Sequence, residues 1–192
     1  MFFAPKTGTL EETERGVYGM EQGLVHIYCG DGKGKTTAAM GLCLRALGRG
    51  LRVGVCQFLK DGSSGEIAAL RGFENVCLFP AQPLVKFVFA MNEGEKAEAA
   101  AYCSRLLKLA DEKAPELDLL LLDEACAAVE TGLVAEEALL AFLRSRPAGL
   151  ELVLTGRSPS PALLESADYV SEIRAVRHPY DSGVGAREGI EY

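Results

Sequence analysis

The 192-residue sequence has no tryptophan, only two histidines and no closely spaced pair of cysteines. Its six cysteines are scattered, and most lie inside apolar segments, at positions 29, 43, 56, 77, 103 and 126. Without a C-x-x-C pair a zinc site is not expected, and thiols in apolar surroundings argue against a disulfide framework. We therefore predict free, mostly buried thiols in a reducing compartment.

Long apolar runs are also absent. None reaches the roughly 18 residues that a membrane span requires. The first residues, Met1 to Lys6, lack the basic start and long apolar core of a signal peptide. We expect a cytoplasmic protein that does not enter a membrane.

The sequence has fewer positive than negative side chains: 20 Lys and Arg against 27 Asp and Glu, which gives a net charge of −7. This balance argues against a broad surface for a nucleic-acid backbone, so nucleic acid is not an expected partner. Any anion site must be local. The length suits one domain with a substantial core.

One local anion site is evident. An apolar run over 24–28 leads into a glycine-rich stretch, and a run rich in small residues follows it. This strand, loop and helix order is typical of a P-loop, in which backbone N–H groups and a helix N-terminus bind phosphate. The spacing differs from G-x-x-x-x-G-K-[ST], since Cys29 stands where the first glycine is due. The predicted ATP- and triphosphate-binding loop is Gly30, Asp31, Gly32, Lys33, Gly34, Lys35, Thr36 and Thr37.

The rest of the chain alternates between strand and helix patterns. Residues 1–22 show no sustained period, and we predict a flexible arm there, followed by a single domain over 23–192. The alternation predicts an α/β fold with a mostly parallel sheet and helices on both faces. Expected strands are 24–28, 51–58, 75–79, 117–124, 150–154 and 168–173; expected helices are 36–48, 67–72, 93–114, 135–146 and 161–166.

Asp123 and Glu124 end a fully apolar strand, where P-loop proteins place the acid that supports Mg²⁺. With Thr36 they are the predicted metal ligands. A helix N-cap followed by a first-turn acid is the alternative. We favour the metal site, and the residues alone leave open which carboxylate contacts the ion.

Arginines are the other candidates for binding triphosphate, because a guanidinium matches phosphate oxygens in a bidentate fork. Arg45 lies in the helix after the loop, and Arg157 ends a strand at the edge where ligands of parallel sheets collect. A solvated arginine is the alternative in each case. Lys33 is expected to bind phosphate because glycines surround it.

Phe87 and Phe89 alternate in a stretch that is unusually aromatic for a loop. They would either pack in the core or form a wall against a large flat ligand. His26 is expected to be structural, and the setting of His178 allows a role with substrate.

Together these residues resemble the P-loop ATP:corrinoid adenosyltransferases. The loop is similar to that family's G-N-G-K-G-K-T-T-A-A, and the ending is similar to its K-H-x-[FY]-D-x-G…G-I-[DE]-Y pattern. The resemblance covers about residues 23–192. Its other motifs are Arg45-Ala46-Leu47-Gly48, Val53-Gly54-Val55-Cys56-Gln57-Phe58, Leu121-Leu122-Asp123-Glu124 and Thr155-Gly156-Arg157.

The resemblance implies a RecA-like fold and an adenosyl transfer. Such enzymes transfer the 5′-deoxyadenosyl group of ATP to cobalt(I) of cobalamin, cobinamide or cobyrinic acid a,c-diamide, and release triphosphate. It further implies Mg²⁺, a reductase or flavodoxin that supplies electrons, a homodimer and a nucleotide bound in the reverse sense to other P-loop enzymes. We expect the shortened loop to suit that reversal. The family's N-terminal arm can close over the site.

The resemblance also implies roles for residues. Lys35, Glu124 and Arg157 become the catalytic group, with Glu124 favoured at the metal and Arg45 and Arg157 near the triphosphate. Phe87, Phe89 and His178 become corrinoid-binding. The aromatic pair would displace the lower axial ligand of cobalt, although the family pattern has tryptophan as its second aromatic. Asp31 replaces the family's asparagine.

Two other functions fit the loop and the acids. One is a P-loop ATPase or small-molecule kinase that transfers the γ-phosphoryl group. The other is a nucleotide- or corrinoid-binding regulator without turnover. The product distinguishes the three functions: an adenosyltransferase releases triphosphate, an ATPase or kinase releases ADP, and a regulator releases no product.

Overall fold

The computed structural model describes residues 21–82 and 86–191. The predicted arm lies almost wholly outside these residues and stays a prediction. The strands are β1 (Val25–Cys29), β2 (Val53–Gln57), β3 (Val76–Leu78), β4 (Leu119–Asp123), β5 (Glu151–Thr155) and β6 (Tyr169–Glu172). The helices are α1 (Lys35–Leu47), α2 (Gly65–Leu70), α3 (Glu93–Lys113), α4 (Ala125–Glu130), α5 (Glu136–Ser145) and α6 (Pro161–Glu165).

The strands form one sheet in the order β3-β2-β4-β5-β1-β6, and every pair is parallel. The four central strands are almost continuously apolar because helices cover both faces of the sheet. Along β4, Leu119 and Leu121 pack on one face with α1 and α2, while Leu120 and Leu122 pack on the other with the remaining helices. The predicted parallel α/β fold is confirmed.

Two kinds of prediction need correction. Strand ends are shorter than expected: β2 begins at Val53 rather than at 51, and β4 at Leu119 rather than at 117. The helix α4 was not predicted, because it begins at Ala125, two residues after the end of β4, and no glycine or proline between them marks the change from strand to helix. The cysteines are free thiols, five of them buried, as predicted.

Parallel strands bring their carboxyl ends to one edge of the sheet, and that edge carries the predicted site. The strand order and register determine which residues lie side by side at this edge. Gln57 pairs in register with Asp123, and Tyr28 pairs in register with Thr155. The segments that follow β1, β2, β4 and β5 therefore meet there. Within the described residues, no helix combines the length and apolar character needed to cross a membrane.

Candidate functional site

The glycine-rich loop lies between β1 and α1. The helix begins at Lys35, with Gly34 at its N-cap in a left-handed conformation (φ 114°), and no described side chain caps it. Its first-turn N–H groups therefore face the loop, where the helix dipole adds partial positive charge. Thr36 is half-buried in this first turn and Thr37 is exposed. This is the geometry of an anion-binding loop.

The first two glycines of the loop hold it against other segments. The Gly30 N–H donates to the Arg157 carbonyl at 2.9 Å, and the Gly32 N–H donates to the Ile173 carbonyl at 2.8 Å. A Cβ at Gly30 would lie 2.3 Å from the Ile173 oxygen, and one at Gly32 would lie 2.7 Å from the Arg174 carbonyl carbon. These two glycines are thus required for close backbone approach.

This packing predicts that Gly32→Ala is destabilising. The new methyl group meets backbone atoms that cannot turn away, so we expect the free energy of unfolding to fall by about 2 kcal/mol. Gly41→Ala is the matched control: nothing lies within 4 Å of its Cβ position in α1. Alanine there should raise stability by roughly 0.5–1 kcal/mol. Urea unfolding of both variants measures the difference, and equal midpoints would contradict the close approach.

The C-terminal tail lies along the loop. The Asp31 carboxylate accepts a hydrogen bond from the Ala175 N–H at 3.0 Å, and this bond lowers the pKa of Asp31. The Lys33 ammonium lies 3.2 Å from the Glu191 carboxylate, which also binds Arg187. The Asp31 carboxylate therefore contacts a backbone amide of the tail. Lys33, which was expected to bind phosphate, forms an ion pair with Glu191 of the tail instead.

Lys35 lies inside the loop. Its ammonium donates to the Gly32 carbonyl at 2.8 Å. Burial lowers the pKa of Lys35, whereas nearby Glu124 raises it and Arg157 lowers it further. A partly desolvated cation beside a helix N-terminus interacts more strongly with phosphate than a solvated one does.

Asp123 ends β4 and is fully buried. Its carboxylate accepts hydrogen bonds from four side chains: Thr36 at 2.9 Å, Thr155 at 2.7 Å, Gln57 at 3.0 Å and Lys60 at 2.7 Å. A buried carboxylate is stable only when donors satisfy it in this way. Asp123 is therefore the acid that contacts the loop threonine.

Glu124 follows in a left-handed conformation (φ 60°) that is rare for residues other than glycine. Its backbone N–H donates to the Thr155 hydroxyl at 2.8 Å. Burial raises the pKa of Glu124, Asp123 raises it further, and Lys60, Lys35 and Arg157 oppose the shift. Strained backbone of this kind concentrates at functional sites.

The oxygen atoms beside Thr36 could serve as ligands of a magnesium ion. The Thr36 hydroxyl and the Asp123 carboxylate are adjacent hard oxygens, the ligands that Mg²⁺ prefers. Within residues 21–82 and 86–191, no cluster of three or more His, Cys, Asp or Glu is arranged to hold a metal. Mg²⁺ characteristically keeps several waters and binds substrate phosphates as well as one or two protein ligands, so Thr36 and Asp123 are the residues that would hold it.

The two predicted arginines are placed differently. Arg157 is exposed after β5, near enough to Asp31 and Lys35 to influence the pKa of both. Arg45 lies in the last turn of α1. At 1.5 Å per residue it is about 14 Å along the helix from Thr36. The structure thus brings Arg157 to the loop and leaves Arg45 at the far end of α1.

Phe87 and Phe89 do not pack in the core. Phe87 is 76% exposed and Phe89 is 88% exposed, at a short 3₁₀ turn before α3. Their rings stack on each other with centroids 5.4 Å apart and planes 13° apart. Two exposed stacked rings form a flat apolar surface, so the core interpretation of this pair is wrong.

His178 caps a 3₁₀ turn in the tail, where its Nδ1 accepts a hydrogen bond from the Tyr180 N–H at 3.2 Å. No described contact joins it to the phosphate loop or to the phenylalanines. Its predicted role with corrinoid stays a prediction.

Three polar residues at Asp123 were not predicted as site residues: Gln57, Lys60 and Thr155. Each follows or ends a strand at the carboxyl edge of the sheet, which is the signal that could have identified them. Their hydrogen bonds to one carboxylate depend on strand order, which the sequence does not state.

Residues 21–192 match the family model described as ATP:corrinoid adenosyltransferase BtuR/CobO/CobP. The chain is 36% identical over 177 residues to the corrinoid adenosyltransferase of Pseudomonas aeruginosa, covering 90% of this chain and 85% of that protein. It is 36% identical over 180 residues to the corrinoid adenosyltransferase CobA of Salmonella typhimurium, covering 90% and 87%. Among solved structures, the genome packaging NTPase B204 of Sulfolobus turreted icosahedral virus 2 is similar, with TM-score 0.46 and 14% identity over 79% of this chain and 74% of that one.

Proposed function

The chain belongs to the ATP:corrinoid adenosyltransferase family, and we propose that the loop described above presents ATP to a reduced corrinoid. The enzyme transfers the 5′-deoxyadenosyl group of ATP to cobalt(I) of the corrinoid and releases triphosphate. The observation that supports this assignment of the site is the convergence of the anion-binding loop, Lys35, Arg157 and the Thr36–Asp123 pair at one edge of the sheet.

The reaction needs no nucleophile from the protein. Cobalt(I) supplies the electron pair of the new cobalt–carbon bond, the C5′–O bond breaks, and its electron pair leaves with the triphosphate. The contribution of the protein is therefore orientation and charge stabilisation.

Negative charge develops on the departing triphosphate, and the loop residues are arranged to receive it. First-turn N–H groups of α1 and the ammonium of Lys35 line the loop where we place the triphosphate, and the backbone of Arg157 contacts the same loop. Mg²⁺, when bound at Thr36 and the acids, would add charge neutralisation at the phosphates. Asp123 is favoured by geometry as the carboxylate beside Thr36, and Glu124 is the expectation from the resemblance.

The decisive experiment is anaerobic. The protein is mixed with ATP, Mg²⁺ and chemically reduced cob(I)alamin, and the corrin spectrum and phosphate products are followed together. We expect a light-sensitive adenosylcobalamin spectrum with stoichiometric triphosphate. ADP and phosphate without spectral change would contradict the proposal and indicate γ-phosphoryl chemistry, while ATP binding without any product would indicate a regulator.

The exposed pair of Phe87 and Phe89 is proposed to contact the corrin ring. Their stacked rings offer exposed apolar area in the segment between β3 and α3, and apolar contact with the corrin would favour loss of the polar lower axial ligand of cobalt. Loss of that ligand makes cobalt(II) easier to reduce to cobalt(I). Phe89 would then serve the role of the tryptophan in the family pattern, as the second of the two aromatic residues that contact the corrin ring.

Phe87→Ala should therefore slow the reaction that starts from cob(II)alamin plus reductant by about two- to tenfold, because an aromatic contact contributes roughly 0.5–1.5 kcal/mol. The reaction that starts from prereduced cob(I)alamin should slow much less, since cobalt no longer has to be reduced. Measuring both rates on one preparation gives an internal control for folding. Equal losses in the two assays would contradict a role in reduction.

We also propose a cytoplasmic homodimer that receives electrons from a reductase or flavodoxin. Free thiols throughout the chain suit a reducing compartment. The edge strand β6 exposes Tyr169 and Val170, which offer apolar surface for a second copy. Light scattering of the purified protein tests the dimer, and turnover with reduced flavodoxin and cob(II)alamin tests the electron donor.

A further inference from the structure

Lys60 occupies a position that the proposed function does not explain. Its ammonium donates to the Asp123 carboxylate at 2.7 Å and to the Thr36 hydroxyl at 3.1 Å. It thus bridges the two groups that are proposed to hold magnesium. The loop lysine, Lys35, contacts the Gly32 carbonyl instead.

The backbone before Lys60 directs it into the site. The Phe58 N–H donates to the Asp123 carbonyl at 2.9 Å, which continues the pairing of β2 with β4 by one residue. Leu59 then adopts φ 54°, a left-handed conformation that is uncommon for a branched side chain. The chain turns there, so that the lysine lies beside Asp123 rather than extending beyond the sheet.

The charge of Lys60 matters because Asp123 is buried. The other side chains that donate to this carboxylate are the neutral groups of Thr36, Gln57 and Thr155. Among the described residues, Lys60 is the one cationic side chain in hydrogen-bond contact with Asp123. Its own side chain is 29% exposed, so it can leave towards solvent or substrate without disturbing the core.

We propose that Lys60 is the resident counter-ion of Asp123 in the nucleotide-free protein and exchanges with Mg²⁺ when the nucleotide binds. Mg²⁺ binds oxygen at about 2.0–2.1 Å. An ammonium in hydrogen-bond contact with the same two oxygens leaves no room for the ion. Lys60 is thus a positioning residue that makes metal entry depend on the triphosphate, whose oxygens offer the displaced ammonium a new partner. The inference rests on the proposed magnesium site.

The test uses Mn²⁺ as a paramagnetic substitute for Mg²⁺, with free Mn²⁺ measured by electron paramagnetic resonance. The wild type should bind Mn²⁺ weakly without nucleotide, and with ATP it should lower free Mn²⁺ below the level that the same ATP gives without protein, because ATP itself chelates the ion. Lys60→Met removes the charge while keeping a similar shape, and should bind Mn²⁺ without nucleotide at least about tenfold more tightly, because the ammonium that competes for the same two oxygens is gone. Lys113→Met, at a surface pair with Glu116, should match the wild type.

A purely structural lysine would give a different result. Lys60→Met would then bind Mn²⁺ without nucleotide no more tightly than the wild type, although both bind it with ATP, and the exchange would be refuted. If neither protein bound Mn²⁺ in the presence of ATP, the magnesium site itself would fail, and the inference with it. Lys60→Gln keeps a donor to Asp123 without charge, and replaces the methionine variant if that variant does not fold.

Discussion

Replacing Lys35 by alanine is expected to lower the rate of adenosylation by at least about 10²-fold, the usual loss when one preorganised donor to a developing anion is removed. Lys35 lies in the loop beside the N-terminus of α1, and burial keeps its ammonium partly desolvated, so its charge acts on the triphosphate through little water. The anaerobic conversion of cob(I)alamin measures the loss. Lys113→Ala, far along α3, is the matched control and should retain full activity.

Two further measurements specify what Lys35 does. If it acts on the leaving triphosphate, kcat should fall more than the affinity for ATP, because the charge it stabilises is largest in the transition state. Lys35→Arg should also be impaired, since a planar guanidinium does not fit where a compact ammonium donates to the Gly32 carbonyl. A near-normal rate for Lys35→Ala would overturn the assignment of the phosphate loop.

The loop and the sheet could be predicted from the sequence because their signals are local. Apolar runs, glycines and a change from strand to helix pattern all lie within about 25 residues around the loop, and the same reasoning recovered the parallel α/β fold. The acids at the end of β4 were recognised because parallel strands end at a common edge.

The contacts around the site could not be predicted because they join distant segments. Asp31 accepts a hydrogen bond from Ala175, 144 positions later, which shows where its charge is directed. The hydrogen bonds of Lys60 and Thr155 to Asp123 follow from strand order. The exposure of Phe87 and Phe89 likewise depends on tertiary packing, which an alternating pattern does not reveal.

Asp123 and Glu124 illustrate the same limit and lead to the second large prediction. The resemblance favours Glu124 at the metal, whereas the structure brings Asp123 to the Thr36 hydroxyl at 2.9 Å. Asp123→Asn should reduce adenosylation by about 10²-fold or more, because a metal-binding carboxylate is lost. It should also lower the free energy of unfolding by about 2 kcal/mol, because the amide NH₂ at this fully buried position cannot accept the hydrogen bonds that a carboxylate oxygen accepts from its neighbours.

Glu124→Gln is the comparison that separates the two acids. Burial raises the pKa of Glu124, which means that a charge at this position is less favourable than in water, so the neutral and similarly sized glutamine should change stability by less than about 1 kcal/mol. The Mg²⁺ concentration that gives half-maximal rate then identifies the ligand. A shift in Asp123→Asn alone assigns the ion to Asp123, and a shift in Glu124→Gln alone assigns it to Glu124. A shift in both means that the two carboxylates hold the ion together, one directly and one through water, as two adjacent acids at the end of one strand permit.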